Sequence, residues 1–312
     1  MTIRCCVCGL ELGEGQVHTL GGRPFCATHH AKALRATEAS WSRAGLVEAA
    51  RVAAFLALVA AIFGESPLPG DALADFALAL VPAAIWGVFV YRQDRLEPEP
   101  PGHVLGVAAL GALLAHAITE PLMDFLGAHE WRALGGPGAT LAALVQATLQ
   151  LTAAYVAVRT TVFRSEELDE PVDAIVYATA AALGAATVAN VRFLLGEQGL
   201  LPLAGATFVA NTVLAHVAAA VVLGYGLGRA RFDGAPGGRW LTACFAVAVV
   251  VQTVAGELAL RAGTREASFA PWTAFAVTAS LGVAVLAGTH FLAARHARRV
   301  LDHLEPVGVA RG

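Results

Sequence analysis

Long apolar stretches separated by short charged runs constrain this chain more than any other feature. Eight of them, at about 46–64, 74–91, 103–125, 139–162, 172–195, 203–228, 240–260 and 271–293, are near or above the ~18–20 residues a helix needs to cross a bilayer. In hydrocarbon the backbone has no water to bond, so each span must satisfy its own N–H and C=O groups as helix. The chain is 14% charged and 57% hydrophobic, whereas an average soluble domain carries roughly 25% charged residues. That excludes an ordinary soluble enzyme, a disordered chain and a disulfide scaffold. The expected fold class is all-α, a polytopic membrane helix bundle of about eight transmembrane helices with a small N-terminal head. The first span is interrupted. Glu48 and Arg51 leave just Val52–Phe63 free of charge, so these two belong in the interface.

The basic residues give the orientation. With the N-terminus in the cytoplasm, cytoplasmic segments hold 16 of the 21 Lys and Arg residues and outer segments hold 4, with Arg51 inside the first span. This bias predicts a multi-pass protein of the bacterial cell (inner) membrane with N- and C-termini cytoplasmic. A net charge of −3 gives no sign of nucleic-acid binding. The N-terminus is polar and cysteine-rich rather than signal-like, which leaves targeting to the first membrane helix. The expected organisation is a zinc-binding head (1–35), a linker (36–45), a transmembrane bundle (46–293) and a cytoplasmic tail (294–312).

Four of the five cysteines fall in the first 26 residues. Cys5-x-x-Cys8-Gly9 is followed by Cys26-x-x-His29. Two short-spaced ligand pairs a hairpin apart are how a chain builds a tetrahedral zinc site. Gly21-Gly22 allows the hairpin over Val17–Cys26 that returns the second pair. The segment resembles a half-LIM or zinc-ribbon knuckle, and Cys5, Cys8, Cys26 and His29 are the expected ligands. Cys6 could replace Cys5, and His30 could replace His29, while His18 reads as a hairpin surface residue. Four protein ligands leave no open position, so the Zn²⁺ is expected to be structural.

Ionisable and amide side chains inside spans are costly and mark functional candidates. His116, Glu120 and Asp124 are spaced i, i+4, i+8, which predicts one face of the third span. Gln146 and Gln150 lie on the fourth span, Asn190 and Arg192 on the fifth, Asn211 and His216 on the sixth, Gln252 and Glu257 on the seventh, and His290 on the eighth. By depth, Glu120, Asn190, Gln150 and His216 are expected to converge in the outer half of the bundle. The competing reading is plain interhelical hydrogen bonding.

Three stretches carry a family resemblance. Tyr91-Arg92-Gln93-Asp94-Arg95-Leu96-Glu97-Pro98-Glu99-Pro100 resembles the "YxxDxxEPEP" loop of the PrsW family of intramembrane proteases. Leu168-Asp169-Glu170-Pro171-Val172-Asp173-Ala174-Ile175-Val176-Tyr177 resembles its "FDEPxDGIVYG" segment, and Leu183-Gly184-Ala185-Ala186-Thr187-Val188-Ala189-Asn190 its "LGFAxxEN" segment. His216, ahead of Gly224-Tyr225-Gly226, resembles the family histidine before a Gly-rich stretch. The likeness covers about residues 75–230. It implies proteolysis in or beside the membrane, in a wider group that includes the CAAX-processing enzymes. The implied centre is a glutamate pair in an EExxK motif, a glutamate in the EN motif and a histidine, activating water alone or with a metal.

The chain departs from this pattern at the centre. The position of EExxK falls near Leu149-Gln150-Leu151-Thr152-Ala153-Ala154, and the EN position reads Ala189-Asn190. His216, Asn190 and Gln150 remain as a remnant centre, with Glu120 and His116 as possible replacement groups. The acids of the two Pro-rich loops read as helix N-terminal charges. The leading reading is a catalytically degenerate homologue that binds a membrane protein or peptide. The alternatives are an active metal-dependent or glutamic-type peptidase using Glu120, His116 and His216, and a membrane transporter or sensor.

Overall fold

The computed structural model describes, with short gaps, residues 3–31, 72–91, 99–196, 202–232, 237–261 and 276–291. The expected first span, Cys6, His290 and most of the "YxxDxxEPEP" loop lie outside the described residues.

The head is two small antiparallel pairs. Strand β1 (Ile3–Arg4) pairs with β2 (Glu11–Leu12), and β3 (His18–Leu20) with β4 (Arg23–Phe25) in the register His18↔Phe25. This is the hairpin expected from the sequence, and a short helical turn over 27–31 follows it.

The rest is helix: α1 (Ala72–Tyr91), α2 (Pro101–Leu114), a π-turn (Ala115–Thr119), α3 (Glu120–Phe125), α4 (Ala128–Leu134), α5 (Gly136–Thr161), α6 (Asp173–Gly196), α7 (Pro202–Phe232) and α8 (Gly237–Arg261). Five helical segments are long and apolar enough to span a membrane: Pro101–Phe125, Gly136–Thr161, Asp173–Gly196, Ala204–Phe232 and Gly237–Leu258. Asp75–Tyr91 and Ala276–Val285 are shorter apolar helices. The fold is the all-α polytopic membrane bundle that the apolar runs dictate. The connection between the third and fourth expected spans, read as loop, contains α4.

Helices α6 and α7 form the centre. In each, 78% of the spanning window is buried, against 22% for Pro101–Phe125. Helix α6 packs on α1, α2, α5 and α7, while α7 also packs on α8. Small residues make the closest of these contacts. A Cβ placed on Gly111 would collide with the Ala181 backbone, and one on Gly184 with the Ala108 carbonyl, so α2 and α6 touch backbone to backbone. Elsewhere the core is filled by Trp86 and Phe89 from α1, Ile175 and Tyr177 from α6, and Leu214, Leu223 and Leu227 from α7. Leu105, Leu113, Ile118 and Phe125 on one edge, and Val247, Val250 and Val254 on another, are exposed. These apolar side chains are the surface offered to lipid.

The Pro-rich segments meet inside this frame. The Tyr177 hydroxyl donates to the buried Glu99 carboxylate at 2.5 Å, tying the start of α2 to α6. Asp173 opens α6, as expected, but it is buried rather than solvated. For Glu99, helix N-terminal placement is thus one part of its role. The other is a hydrogen bond to a residue 78 positions away.

Candidate functional site

Polar groups gather in two places, the head and a cavity among the membrane helices.

In the head, the Cys5 N–H donates to the Leu10 carbonyl at 2.9 Å, closing the turn that carries Cys8. Strand β4 delivers Cys26 to the start of the 27–31 turn, where its carbonyl accepts the His30 N–H at 2.9 Å. His29, three residues on, then faces the same side. One ligand atom from each of Cys5, Cys8, Cys26 and His29 lies within 4.8 Å of all the others. The His29 Nδ1 is 3.2 Å from the Cys26 Sγ and 3.8 Å from the Cys5 Sγ. Zinc–sulfur and zinc–nitrogen bonds of ordinary length put such atoms about 3.5 Å apart at tetrahedral angles. The cluster is therefore sized for a metal ion, and it is the one group of three or more such residues among the described residues. A backbone hydrogen bond from Leu10 lowers the Cys8 thiol, but desolvation and the sulfurs of Cys5 and Cys26 raise it, and the net direction is up. His30 turns away instead. It is buried and stacked on His18 with ring centroids 5.0 Å apart, and burial followed by the charge of His18 holds its pKa below the usual value.

The second place is a cavity of about 320 Å³ among α3, α4, α5, α6, α7 and α8. Gln150, His216 and Glu120 all line it, together with Arg132, Arg192 and Gln252. The geometry of Glu120 depends on the π-turn. Pro121 has no N–H to return to the helix and its ring crowds the preceding turn. The Glu120 N–H reaches back five residues to the Ala115 carbonyl, and the register widens. His116 and Glu120, spaced i, i+4, nevertheless differ in surroundings. Glu120 is buried toward the cavity, while His116 is exposed and outside it. Asp124 is exposed as well, 3.0 Å from the His129 Nε2.

Each cavity group has a defined state. The His216 Nδ1 lies 2.7 Å from the Thr212 carbonyl, which places the proton on Nδ1 and leaves the Nε2 lone pair unpartnered. The Gln252 amide donates to the Gln150 Oε1 at 2.6 Å, leaving Gln150 Nε2 and Gln252 Oε1 without partners. Glu120 accepts from Arg192 at 3.2 Å. Arg132 donates to the Gln146 Oε1. Burial pulls the Arg132 pKa down, and the Glu120 and Glu257 carboxylates oppose that. Asn190 is fully buried beside this group and donates to the Val209 carbonyl at 3.4 Å, but it is not among the lining residues.

Of the expected residues, the structure brings Gln150, His216 and Glu120 to one cavity, sets Asn190 just behind it and leaves His116 outside. Sequence reasoning missed Arg132 and His129 as lining residues, and it named Arg192 and Gln252 among the in-span polar groups without joining them to Glu120 and Gln150. A buried acid inside a span calls for a nearby cation, and that was the available signal for joining Arg192 to Glu120.

Apolar helices long enough to span a bilayer, packed around a cavity lined in part by buried polar groups, define a polytopic membrane protein with polar side chains inside its bundle. A family model described as "PrsW family intramembrane metalloprotease" matches residues 99–255, about half of the chain, and the chain belongs to this family. Protease PrsW of Geobacillus kaustophilus (strain HTA426) is 31% identical over 144 residues, covering 46% of this chain and 61% of that protein. Protease PrsW of Bacillus subtilis (strain 168) is 28% identical over 162 residues, covering 49% and 68%. Protease PrsW of Clostridioides difficile (strain 630) is 27% identical over 163 residues, covering 51% and 67%. The chain thus matches three fifths to two thirds of each relative's length. No solved structure matches.

The family description implies a metal, and the cavity does not fit one. A catalytic zinc site takes three protein ligands. The lining offers two imidazoles, His129 and His216, and one carboxylate, but the His129 Nε2 is taken by Asp124 and the carboxylate already holds Arg192. Among the described residues no three metal donors of the cavity are drawn together as they are in the head. The remaining polar groups include amides and two guanidinium groups, whose charge opposes a dication.

Proposed function

We propose that this PrsW family member holds a segment of a membrane protein or peptide in its cavity without hydrolysing it. The observation that carries this reading is the state of Glu120. Among the described residues it is the one carboxylate lining the cavity, and it is already paired with Arg192. Gln150 and Gln252 can orient a carbonyl or a water, but an amide has no titratable proton near neutral pH and cannot deprotonate water. The remnant centre is then His216 and Gln150, backed by Asn190. The wider organisation proposed is a head over 1–35, a linker over 36–45, a bundle over 46–293 and a tail over 294–312. Both termini face the cytoplasm of the cell membrane. In the head we propose a structural Zn²⁺ on Cys5, Cys8, Cys26 and His29.

One observation favours the second reading, an active peptidase. Glu120 and His216 share the cavity, and the His216 Nε2 is open. His116 takes no part in that version. The deciding experiment compares wild type with His216→Ala and Glu120→Gln on a panel of membrane-protein substrates in reconstituted vesicles. The expected result is no cleavage by any of the three. Cleavage by wild type that both substitutions abolish would overturn the non-hydrolytic reading.

A further inference from the structure

The family description attaches a metal to the membrane region, yet the donor atoms suited to one lie elsewhere in the chain. The head is outside the 99–255 match and holds three sulfurs and one imidazole nitrogen within 4.8 Å of one another. The cavity is lined by Glu120, His129 and His216 among amides and two guanidinium groups, with Glu120 held by Arg192 and His129 by Asp124. Among the described residues these donors are not drawn together into a group of three. We infer that the metal of this family member resides in the head, one Zn²⁺ bound by the Cys5, Cys8 and Cys26 thiolates and the Nδ1 of His29, with none in the membrane cavity.

Three observations argue for it. Nδ1 is the ring atom of His29 that faces the sulfurs, at 3.2 and 3.8 Å from Cys26 and Cys5, on either side of the tetrahedral separation of about 3.5 Å. Backbone hydrogen bonds hold both halves of the site in place, from Cys5 to Leu10 and from His30 to Cys26. The donor set is thiolate-rich, which favours zinc over magnesium, calcium or manganese. With four protein ligands the ion has no position for water, so it holds the head together and does no hydrolysis. The inference deepens the reading of the head given above and is independent of whether the cavity cuts or binds.

The test uses the full chain, purified in detergent after a wash with a weak chelator, with metal measured by elemental analysis. Wild type is expected to hold about one zinc per chain. The double variant Cys8→Ser with Cys26→Ser is expected to fall at least about tenfold below that, because removing two thiolates leaves too few ligands. His216→Ala and Glu120→Gln are expected to match wild type. Zinc that stays in the head variant, zinc that leaves with His216→Ala, or two zincs per chain would each overturn the inference. A head variant that fails to express does not remove the test. Cobalt-substituted wild type must then show near-ultraviolet thiolate-to-cobalt absorption, and its absence would count against the head. Substrate cleavage by wild type, with zinc lost from the head variant alone, would sink the non-hydrolytic reading and leave this inference standing.

Discussion

The head and the cavity each gather polar side chains into a small volume, but they differ in what those side chains can agree on. The donors of the head all want the same thing. As thiolates, the three cysteines repel one another around one point until a cation sits among them, and are satisfied afterwards. In the cavity the groups have mostly satisfied one another. Glu120 holds Arg192, Gln252 holds Gln150, and Arg132 holds Gln146. What remains open there is a mixture of N–H, C=O and one imidazole nitrogen, suited to a ligand with both donors and acceptors. Proximity of polar residues therefore says little until the charge and valence of the open atoms are counted.

The largest expected effect tests the head side of this contrast. A strong chelator should unfold the head, because the binding free energy of structural zinc, about 10–16 kcal/mol in small domains, is also its folding free energy. Hydrogen exchange of the β3 and β4 amides should rise toward unfolded rates while α6 and α7 remain protected. A protected hairpin in chelator would show that the strands stand without the ion.

Next is Arg192→Ala, which leaves Glu120 buried without its cation. Breaking a buried pair costs about 3–5 kcal/mol, and the half-exposed Arg192 brings the expectation to about 2 kcal/mol. Unfolding in detergent should show the loss, and Glu120→Gln added to Arg192→Ala should restore most of it. No restoration would mean that Arg192 acts through something other than Glu120.

Gln252→Leu should cost less, about 0.6 to 1.7 kcal/mol, the range of interhelical hydrogen bonds in membranes. Gln150→Leu with Gln252→Leu should cost less than the sum of the two single changes, since neither amide is then left facing an empty partner. Strict additivity in that double-mutant cycle would show that the two amides are not coupled. The smallest effect belongs to His116→Leu, expected within about 0.5 kcal/mol of wild type because the side chain is exposed on the outer face of the bundle. A large change there would return His116 to the site.

The bundle was legible because span length and apolarity are local properties, and α1, α2, α5, α6, α7 and α8 fall close to the expected ranges, whereas α4 does not. The hairpin was legible for a similar reason: a Gly pair between ligand-bearing segments leaves few other conformations. Two things were not. The shared spacing of His116 and Glu120 could not say that one is exposed and the other buried, because the edge of the buried face runs between them. The pairing of Gln150 with Gln252 spans 102 positions, and that of Tyr177 with Glu99 spans 78. Nothing in the sequence near either member of those pairs announces its partner. Gln150 and His216 could be tied to a centre because a resemblance marked their positions, whereas Arg192 was visible as a charge in a span and Arg132 as a charge in a connection, neither with a partner.

The contact of α2 with α6 has a mechanical consequence. Where Gly111 meets Ala181 and Gly184 meets Ala108, backbone lies on backbone with no rotatable side chain between. Sliding one helix past the other by a turn would drive a larger residue into a carbonyl, so the pair moves as a single rigid wall. Any gap that opens to admit a long guest has to form at boundaries where the contact is made by side chains that can swing. The stacked rings of Phe193 and Phe208, which line the cavity between α6 and α7, are a boundary of that kind.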